Sequence, residues 1–463
     1  MAELIHETVT DLAKLIRRHE VSPVELMRSL LGHIESTNPR LNAIVTLNPD
    51  ALEQARAAEA AVARGGEMGP LYGVPLTVKD TISTADLRTT SGSKRRAVHI
   101  PSEDAVVVAR LKAAGAVILG KTNTSELAMA YDADNPLFGR TNNPHDLTRT
   151  SGGSSGGEAA AIASFMSSGG IGSDLMGSLR VPAHFCGIAS LKPTTGVVPM
   201  TGHTPEAVGP YSLGAAIGPM ARTVADLELL FSVIVDPTLP CSLSAPVARR
   251  VSRDELRGLQ VAVYADDECS PVTAETIAAV QNAALTLKDA GMEIVEELPP
   301  GISRGPGLWT ELFSRGGVSQ LRRLYAGHED EAGGIVRAIL RKAETAEQSL
   351  DDYLDAWVER DRLRAELLEF METVPLLLCP VGSAPAFTHG ARTVEVKGRS
   401  LSIFESFSYC QTFNVYGLPV ACVTAGRSAE GLPIGVQIVG RPYAEAQVLA
   451  AASTIEAAGS WCL

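Results

Sequence analysis

Two glycine- and serine-rich loops lie close together in this chain of 463 residues. From Thr150 to Arg180 the sequence reads TSGGSSGGEAAAIASFMSSGGIGSDLMGSLR, and Ser154 and Ser178 sit in loops separated by one helical run, Glu158 to Met166. Glycine at this density indicates unusual backbone conformations or a backbone that approaches a ligand closely. A flexible linker is the alternative, but the apolar segments AAAIASFM and VPAHFCGIASL would not suit one. We therefore expect a site at the two serines.

A second segment, Leu71 to Asp80, reads LYGVPLTVKD. Its β-branched residues and the turn residues before them predict a strand that ends at Lys79. Taken alone, a lysine at the end of an apolar strand is most often a solvated terminus.

Together these segments resemble the amidase signature family, and the resemblance covers nearly the whole chain. The matching motifs are GVPLxVKD at Gly73 to Asp80, GGSSGGE at Gly152 to Glu158, GSDxxGSLRxPA at Gly172 to Ala183, GxxxLKPT at Gly187 to Thr194, GPMAR at Gly218 to Arg222 and GLPIGVQIVG at Gly431 to Gly440. Six motifs in order are far more specific than any one of them. The run NPLFGRTNNP, Asn135 to Pro144, is similar to the branch that includes the fatty acid amide hydrolases.

The resemblance implies a catalytic triad in which Ser178 is the nucleophile, Ser154 is a bridging serine preceded by a cis peptide bond, and Lys79 is the base. A serine hydroxyl needs a base within hydrogen-bond reach. Because a lysine base must be neutral, its pKa has to fall from about 10.4 towards neutrality. Adjacent side chains in a strand point to opposite faces, so we expect Asp80 to face away from the amine.

The turn before the nucleophile is expected to form the oxyanion hole from the backbone N–H groups of Leu175, Met176, Gly177 and Ser178. The family usually carries Gly-Gly before the nucleophile, whereas this chain has Met176 and Gly177. Two interpretations of Met176 stay open, which are neutral drift in a tolerant loop and a pocket wall, made with Leu175, that favours apolar substrates.

Other residues near the serines are expected to support the site. Asp174 and Arg180 flank the nucleophile, and we interpret them as an ion pair that braces the loop; direct substrate contact is the alternative. Ser155, beside the bridging serine, is a further supporting residue. The expected lining of the acyl pocket is Leu127, Met129, Tyr131 and Met176, although core packing is the expected role for at least two of the first three.

The net charge of −13 argues against nucleic acid or an anionic membrane as a partner. No signal peptide opens the chain, and no apolar run reaches the roughly 18 residues that span a bilayer. Seven cysteines without Cys-x-x-Cys spacing predict reduced thiols in a cytoplasmic protein. The nine histidines form no zinc-like cluster, so we expect neither metal nor cofactor. The expected partner is a small amide-type substrate, and the chain is expected to be a monomer or homodimer.

Alternating helices and strands predict an α/β layered fold with a mainly parallel sheet. The resemblance implies a single domain over residues 1–463, a three-layer α/β/α sandwich around a twisted mixed, mainly parallel sheet. Sites in such sheets collect at the carboxyl ends of strands, where Lys79, Asn123 and Asp174 are expected. The resemblance implies that residues 60–240 form the signature core. The region of about 300–372, charged and helix-rich from Gly317, is interpreted as a variable roof over the substrate entrance; a plain structural layer is the alternative.

The predicted function is hydrolysis of the C–N bond of small, apolar amides through a covalent Ser178 acyl-enzyme. Carbamates and esters remain open as substrates because pocket shape decides among them. The first alternative is a glutaminase subunit of a tRNA-dependent amidotransferase, which shares these motifs but works in a complex; Met176 and the NPLFGRTNNP loop weigh against it. An inactive binding protein is disfavoured because all three triad positions are present.

Overall fold

Strands from most of the chain length join one eleven-stranded sheet in the computed structural model, which describes residues 4–65, 68–235, 251–314, 318–345 and 348–459. The strands are β1 (Ile44–Leu47), β2 (Pro75–Lys79), β3 (Val117–Thr122), β4 (Gly169–Asp174), β5 (Ala189–Lys192), β6 (Ala216–Ala221), β7 (Gln260–Val263), β8 (Glu293–Val295), β9 (Leu376–Pro380), β10 (Thr393–Val396), β11 (Arg399–Ser402), β12 (Val420–Arg427) and β13 (Pro433–Gly440). Their order in the sheet is β1-β3-β2-β4-β6-β5-β12-β13-β9-β7-β8, and β10 and β11 form a separate hairpin.

Helices cover both faces of this sheet. They are α1 (Val9–Arg17), α2 (Pro23–Leu41), α3 (Ala51–Arg64), α4 (Val106–Ala113), α5 (Gly156–Ala163), α6 (Arg180–Cys186), α7 (Val224–Ile234), α8 (Ala274–Asp289), α9 (Gly305–Trp309), α10 (Val318–Tyr325), α11 (Gly334–Thr345), α12 (Leu350–Thr373), α13 (Ile403–Ser406), α14 (Ser408–Val415) and α15 (Glu445–Ala458). None of these helices is long and apolar enough to cross a membrane, as judged over the described residues.

Alternate side chains of the central strands enter two different hydrophobic cores. Ile118 packs with residues of α4, α7 and α15, whereas its neighbours Val117 and Leu119 pack with residues of α5 and α6. In β9, Leu378 and Cys379 divide between the same two cores. Because successive residues of a strand point to opposite faces, each face buries its own core under its own helices. The predicted three-layer α/β/α arrangement is confirmed.

The sheet is mixed, as expected, but it is not mainly parallel. Among the ten neighbouring pairs, four are parallel and six are antiparallel. Parallel neighbours need a long crossover connection, whereas a tight turn returns the chain antiparallel. Strands β12 and β13 are joined by such a turn, because only residues 428–432 separate them. Strand β6 follows β5 without an intervening α-helix, and these two strands are also antiparallel. The motifs at β5 and β6 did not indicate these two short strands.

The parallel part of the sheet gathers the polar residues that the sequence placed at strand ends. Strand β2 pairs in parallel with β3 on one side and with β4 on the other. Lys79 is the last residue of β2 and Asp174 the last of β4, and Asn123 follows β3 directly. The expectation that these three residues meet at one edge of the sheet is correct, and that edge carries the candidate site.

The cysteines that the structure describes are all free thiols. They are Cys186, Cys269, Cys379, Cys410 and Cys422. Cys241 and Cys462 lie outside the described residues, as does Gly317 at the start of the predicted helical region.

Candidate active site

The amine of Lys79 lies in the interior of the protein rather than in solvent. Its side chain is fully buried, and Nζ lies 2.6 Å from Ser154 Oγ and 3.0 Å from Ser173 Oγ. Burial lowers the pKa of Lys79 to about 7, although the nearby carboxyl groups of Asp174 and Glu158 act in the opposite direction. A substantial fraction of the amine is therefore neutral near pH 7, as a proton acceptor must be.

Asp80 points away from this amine, as expected for the next residue in an extended chain. Its carboxylate accepts hydrogen bonds from the backbone N–H (3.1 Å) and the hydroxyl of Thr90. Burial raises the pKa of Asp80, and the main opposing influence is the buried cation of Lys121 on the same side. Asp80 therefore does not form an ion pair with Lys79.

Ser154 and Ser178 both line one cavity, and the Gly153–Ser154 peptide bond is cis, in agreement with the expectation. The backbone N–H of Ser155 donates to the carbonyl of Ser178 (3.2 Å), which joins the two serine loops. The Ser178 hydroxyl makes no hydrogen bond to any described residue, so the expected contact to Ser154 is not formed here. Catalytic hydrogen bonds are often long in unliganded enzymes and tighten when substrate binds.

A buried ion pair braces the turn that carries Ser178. Arg180 Nη2 lies 2.9 Å from Asp174 Oδ1 and Arg180 Nε lies 3.0 Å from Oδ2, with both side chains inaccessible to solvent. Burial alone would raise the pKa of Asp174, but the guanidinium lowers it well below its usual value. Asn414 also donates to Asp174, at 2.9 Å. The bracing interpretation is supported, because the carboxylate is fully occupied by protein donors.

The oxyanion assignment needs one correction, at Gly177. Its backbone N–H donates to Asp174 Oδ1 at 2.8 Å, so this donor is already engaged. The N–H groups of Leu175, Met176 and Ser178 make no hydrogen bond within the described residues, and these three are the donors left for an oxyanion. Gly177 has a different role: its φ is +114°, and a Cβ there would lie 2.6 Å from Cys410 Cβ. Only glycine permits this turn.

A cavity of about 1030 Å³ opens in front of the two serines. Much of its wall is apolar. The large apolar residues that line it include Leu127, Met129, Met176, Met200, Trp309 and Phe404. Trp309 and Phe404 pack with ring centroids 5.1 Å apart, and the Trp309 indole N–H donates to the carbonyl of Leu175 at 2.8 Å. The wall is thus attached directly to the nucleophile turn.

Tyr131 does not line this cavity, contrary to the expectation, whereas Leu127, Met129 and Met176 do. The Tyr131 side chain is buried behind the turn, where its hydroxyl donates to the Met176 carbonyl at 2.6 Å and accepts from Gln411 at 3.1 Å. A buried tyrosine must satisfy its hydroxyl, and here the partner is the turn backbone. Tyr131 therefore holds the turn in place instead of contacting substrate.

The helical region after residue 317 contributes to the outer wall of the cavity. Val318 and Leu321 of α10, and Ile335 and Ile339 of α11, line it. A small separate core joins this pair of helices to Leu127. These contacts support the interpretation of a roof over the site.

A buried polar cluster fastens the same roof to the rest of the molecule. The Tyr325 hydroxyl donates to Glu126 Oε1 (2.5 Å) and lies 2.7 Å from Ser93 Oγ. The backbone N–H of Gly333 donates to Glu126 Oε2 at 2.7 Å. Glu126 immediately precedes the cavity residue Leu127, so the cluster also fixes the inner wall.

Two residues of the site were not identified from the sequence, Ser173 and His203. Ser173 Oγ lies 3.0 Å from Lys79 Nζ and 2.9 Å from His203 Nε2, and all three side chains are buried. Ser173 stands in the motif that carries Ser178, which was a usable signal. His203 lies in a loop rich in glycine and proline that the motifs do not include.

Metal ions in proteins are held by donor sets of His, Cys, Asp and Glu side chains. Over the part of the chain that the structure describes, no three His, Cys, Asp or Glu side chains converge as metal ligands would. The site itself offers the two serines, the buried lysine and the free N–H groups of the turn. Such a set can activate a hydroxyl and stabilise a developing oxyanion.

Known proteins resemble this chain over most of its length. A family model described as amidase matches residues 25–449. A curated relative, a subunit of the glutamyl-tRNA(Gln) amidotransferase of Moorella thermoacetica, is 35% identical over 480 residues, which cover 98% of this chain and 97% of the relative.

Solved structures match over a similar length. A chain from a vestigial protein complex, studied for the evolutionary origins of an s-triazine catabolic enzyme, superimposes with a TM-score of 0.88 at 29% identity and covers 98% of this chain and 99% of its own. A fatty acid amide hydrolase gives a TM-score of 0.87 at 26% identity, covering 98% of this chain and 85% of the hydrolase.

Proposed function

Because the chain belongs to the amidase signature family, whose members are hydrolases that act on the carbon–nitrogen bonds of amides, we propose that it hydrolyses small, apolar amides through a covalent acyl-enzyme on Ser178. The observation that carries the proposal is the 2.6 Å contact between Lys79 Nζ and Ser154 Oγ, together with a cavity that Ser154 and Ser178 both line. A buried amine with a pKa of about 7 can accept a proton that a solvated lysine could not.

The proposed reaction has two steps. Ser178 Oγ attacks the amide carbonyl while its proton passes to Ser154 and the Ser154 proton passes to Lys79. The tetrahedral oxyanion is held by free N–H groups of the turn at Leu175, Met176 and Ser178, each worth about 3 to 4 kcal/mol if it acts as a typical oxyanion donor. Collapse breaks the C–N bond, and Lys79 returns a proton through Ser154 to the leaving amine. Water then attacks the acyl-enzyme by the same relay and frees Ser178.

The lining of the cavity favours a substrate whose acyl group, next to Ser178, is apolar. Met176 lies in the wall beside the nucleophile, and Trp309 and Phe404 extend the apolar surface outwards. Burial of apolar area contributes roughly 25 cal/mol per Å², so a longer acyl chain gains binding energy here. Carbamates and esters present the same carbonyl and are part of the proposed substrate range.

The glutaminase alternative is favoured by one observation, the 35% identity to a subunit of a glutamyl-tRNA(Gln) amidotransferase. Glutamine carries an ammonium group that has to be paired when it leaves water. Among the described residues that line the cavity, Asp174 is the one carboxylate, and Arg180, Gly177 and Asn414 already occupy it. The apolar wall therefore favours the amidase function over the glutaminase function.

One experiment separates the two functions. The recombinant chain, without partner proteins, is assayed with hexanoyl p-nitroanilide and with glutamine, and Ser178→Ala is the matched control. We expect release of p-nitroaniline by the wild type, none by Ser178→Ala, and no ammonia from glutamine above that control. An isolated chain that hydrolyses no anilide, with or without ammonia release from glutamine, would instead support the amidotransferase function, because such a subunit works in a complex.

A further inference from the structure

His203 contacts the proposed base through one intervening hydroxyl. Ser173 Oγ lies between His203 Nε2, at 2.9 Å, and Lys79 Nζ, at 3.0 Å. The other ring nitrogen, Nδ1, lies 2.7 Å from the carbonyl oxygen of Pro205. None of these residues was assigned a role by the motifs, apart from Lys79.

The partners of the imidazole determine where its hydrogen lies. A carbonyl oxygen can only accept, so Nδ1 must carry a hydrogen and donate it to Pro205. Burial lowers the pKa of His203 to about 4, and the nearby Lys79 acts in the same direction. The ring is therefore neutral at pH 7, and its Nε2 is an acceptor. Consequently the Ser173 hydroxyl donates its hydrogen to His203.

The direction of this hydrogen bond constrains Lys79. Since the Ser173 hydrogen points to His203, Ser173 Oγ presents only lone pairs to the amine and accepts an N–H from it. The carbonyl of Ser173, at 3.4 Å from Nζ, takes a second N–H. A neutral amine has two hydrogens and one lone pair, so the lone pair is left for Ser154.

We propose that His203 is a positioning residue that, by holding the Ser173 hydrogen, keeps the lone pair of neutral Lys79 directed at the Ser154 hydroxyl. Without it, the Ser173 hydroxyl turns and donates to that lone pair, which then cannot receive a proton from Ser154. The inference rests on the proposed function, because it concerns how the proposed base acts.

The loop around His203 is fixed to the segment that follows the Lys79 strand. The Ser83 N–H donates to the Gly202 carbonyl (2.9 Å), and the Thr204 N–H donates to the Thr81 carbonyl (2.8 Å). Gly202 has a φ of +91°, and a Cβ there would meet Ala105 Cα at 2.6 Å. These backbone contacts therefore fix the position of the His203 ring relative to Lys79. The charged groups that influence the amine it orients are Asp174 and Glu158.

The test compares His203→Phe, which has no acceptor, with His203→Gln, whose amide oxygen can accept from Ser173. Single-turnover release of p-nitroaniline from hexanoyl p-nitroanilide reports acylation. We expect His203→Phe to slow acylation about 10- to 100-fold with little change in KM, as a misplaced catalytic group does. His203→Gln should recover most of the lost rate, because its amide oxygen can accept the Ser173 hydrogen.

The decisive arm repeats His203→Phe in a Ser173→Ala background, where no hydroxyl can compete for the lone pair. There we expect the substitution to cost less than about threefold, because interacting residues are not additive. His203→Leu replaces His203→Phe if the phenyl ring prevents folding. His184→Phe is the matched control: His184 is also buried and bonded at both nitrogens, to Gly435 N–H and the Ala384 carbonyl, but lies outside the cavity.

The outcomes separate this inference from the proposed function. If wild type forms an acyl-enzyme at Ser178 and His203→Phe acylates as fast, or loses the same factor with and without Ser173, the positioning role is wrong and the function stands. A wild type that forms no acyl-enzyme overturns both. The same loss from His184→Phe as from His203→Phe would indicate a general folding effect and also contradict the inference.

Discussion

Lys79 Nζ lies 2.6 Å from Ser154 Oγ, and both side chains are fully buried although 75 residues separate them. Two features of the fold create this contact. Strand β2 delivers Lys79 to the edge of the sheet, and the loop before α5 brings Ser154 to the same edge. Burial removes the water that would otherwise keep the amine charged, so the geometry and the lowered pKa have the same origin.

The triad is expected to act as a unit. Lys79→Ala and Ser178→Ala should each lower kcat/KM for hexanoyl p-nitroanilide by several orders of magnitude, since removing a general base alone costs about 10²- to 10⁴-fold. The double variant should cost little more than either single variant. Steady-state kinetics of the three proteins measure this. Losses that multiply in the double variant would mean that the two residues act independently.

Met176 is expected to set the preference for apolar acyl groups. Met176→Gly removes side-chain bulk from the cavity wall while leaving the backbone donors, so the ratio of rates for hexanoyl and acetyl p-nitroanilide should fall, by about 10-fold if two or so methylene contacts of about 0.8 kcal/mol are lost. Met371→Ala is the control, because Met371 is fully buried in α12 but does not line the cavity. An unchanged ratio in Met176→Gly would show that this side chain is not a pocket wall.

The Asp174–Arg180 pair is expected to matter for stability. Arg180→Met leaves the Asp174 carboxylate buried without its main partner, which typically costs about 3 to 5 kcal/mol. Urea denaturation of both proteins measures the free energy of unfolding. Arg362→Met is the control, because the Arg362–Glu366 pair is 64% and 44% exposed and such pairs contribute below about 1 kcal/mol. Equal losses in the two variants would contradict a bracing role for the buried pair.

The predicted site residues that the structure brings together are those whose partners are fixed by local spacing or by the motifs. Lys79, Ser154, Ser178, Asp174 and Arg180 all belong to this group. Gly177 could also have been placed correctly, since an aspartate that accepts from a backbone N–H a few residues later is a common local pattern. Its N–H was instead counted among the oxyanion donors.

The remaining errors concern contacts that depend on the tertiary fold. Tyr131 was expected in the pocket because it follows Leu127 and Met129, but its hydroxyl needed a polar partner and found one behind the turn. His203 reaches the site because its loop is bonded to the segment after β2, a contact across about 120 residues that no periodicity encodes. Sheet direction was misjudged because short connections between strands leave little pattern in a sequence.

The roof over the cavity is expected to depend on Tyr325. Tyr325→Phe removes the hydroxyl that donates to buried Glu126, and an unsatisfied buried partner costs about 1 to 3 kcal/mol. We expect limited proteolysis between α10 and α11 to become faster. We also expect KM for the hexanoyl substrate to rise, whereas kcat for the acetyl substrate should change less. Tyr353→Phe is the comparison, because Tyr353 lines the cavity but does not belong to this cluster. Identical cleavage rates in wild type and Tyr325→Phe would mean that this cluster does not fasten the roof.

The most direct test of the account is the pH dependence of Ser178 acylation, followed as single-turnover release of p-nitroaniline and by the mass of the acyl-enzyme. A base with a pKa lowered by burial is charged below that pKa and neutral above it, so the rate should rise with pH through an apparent pKa near 7 and then level off. Lys79→Ala should lose this rise together with several orders of magnitude in rate. A Lys79→Ala enzyme that acylates Ser178 at a near wild-type rate with the same pH profile would contradict the assignment of Lys79 as the base.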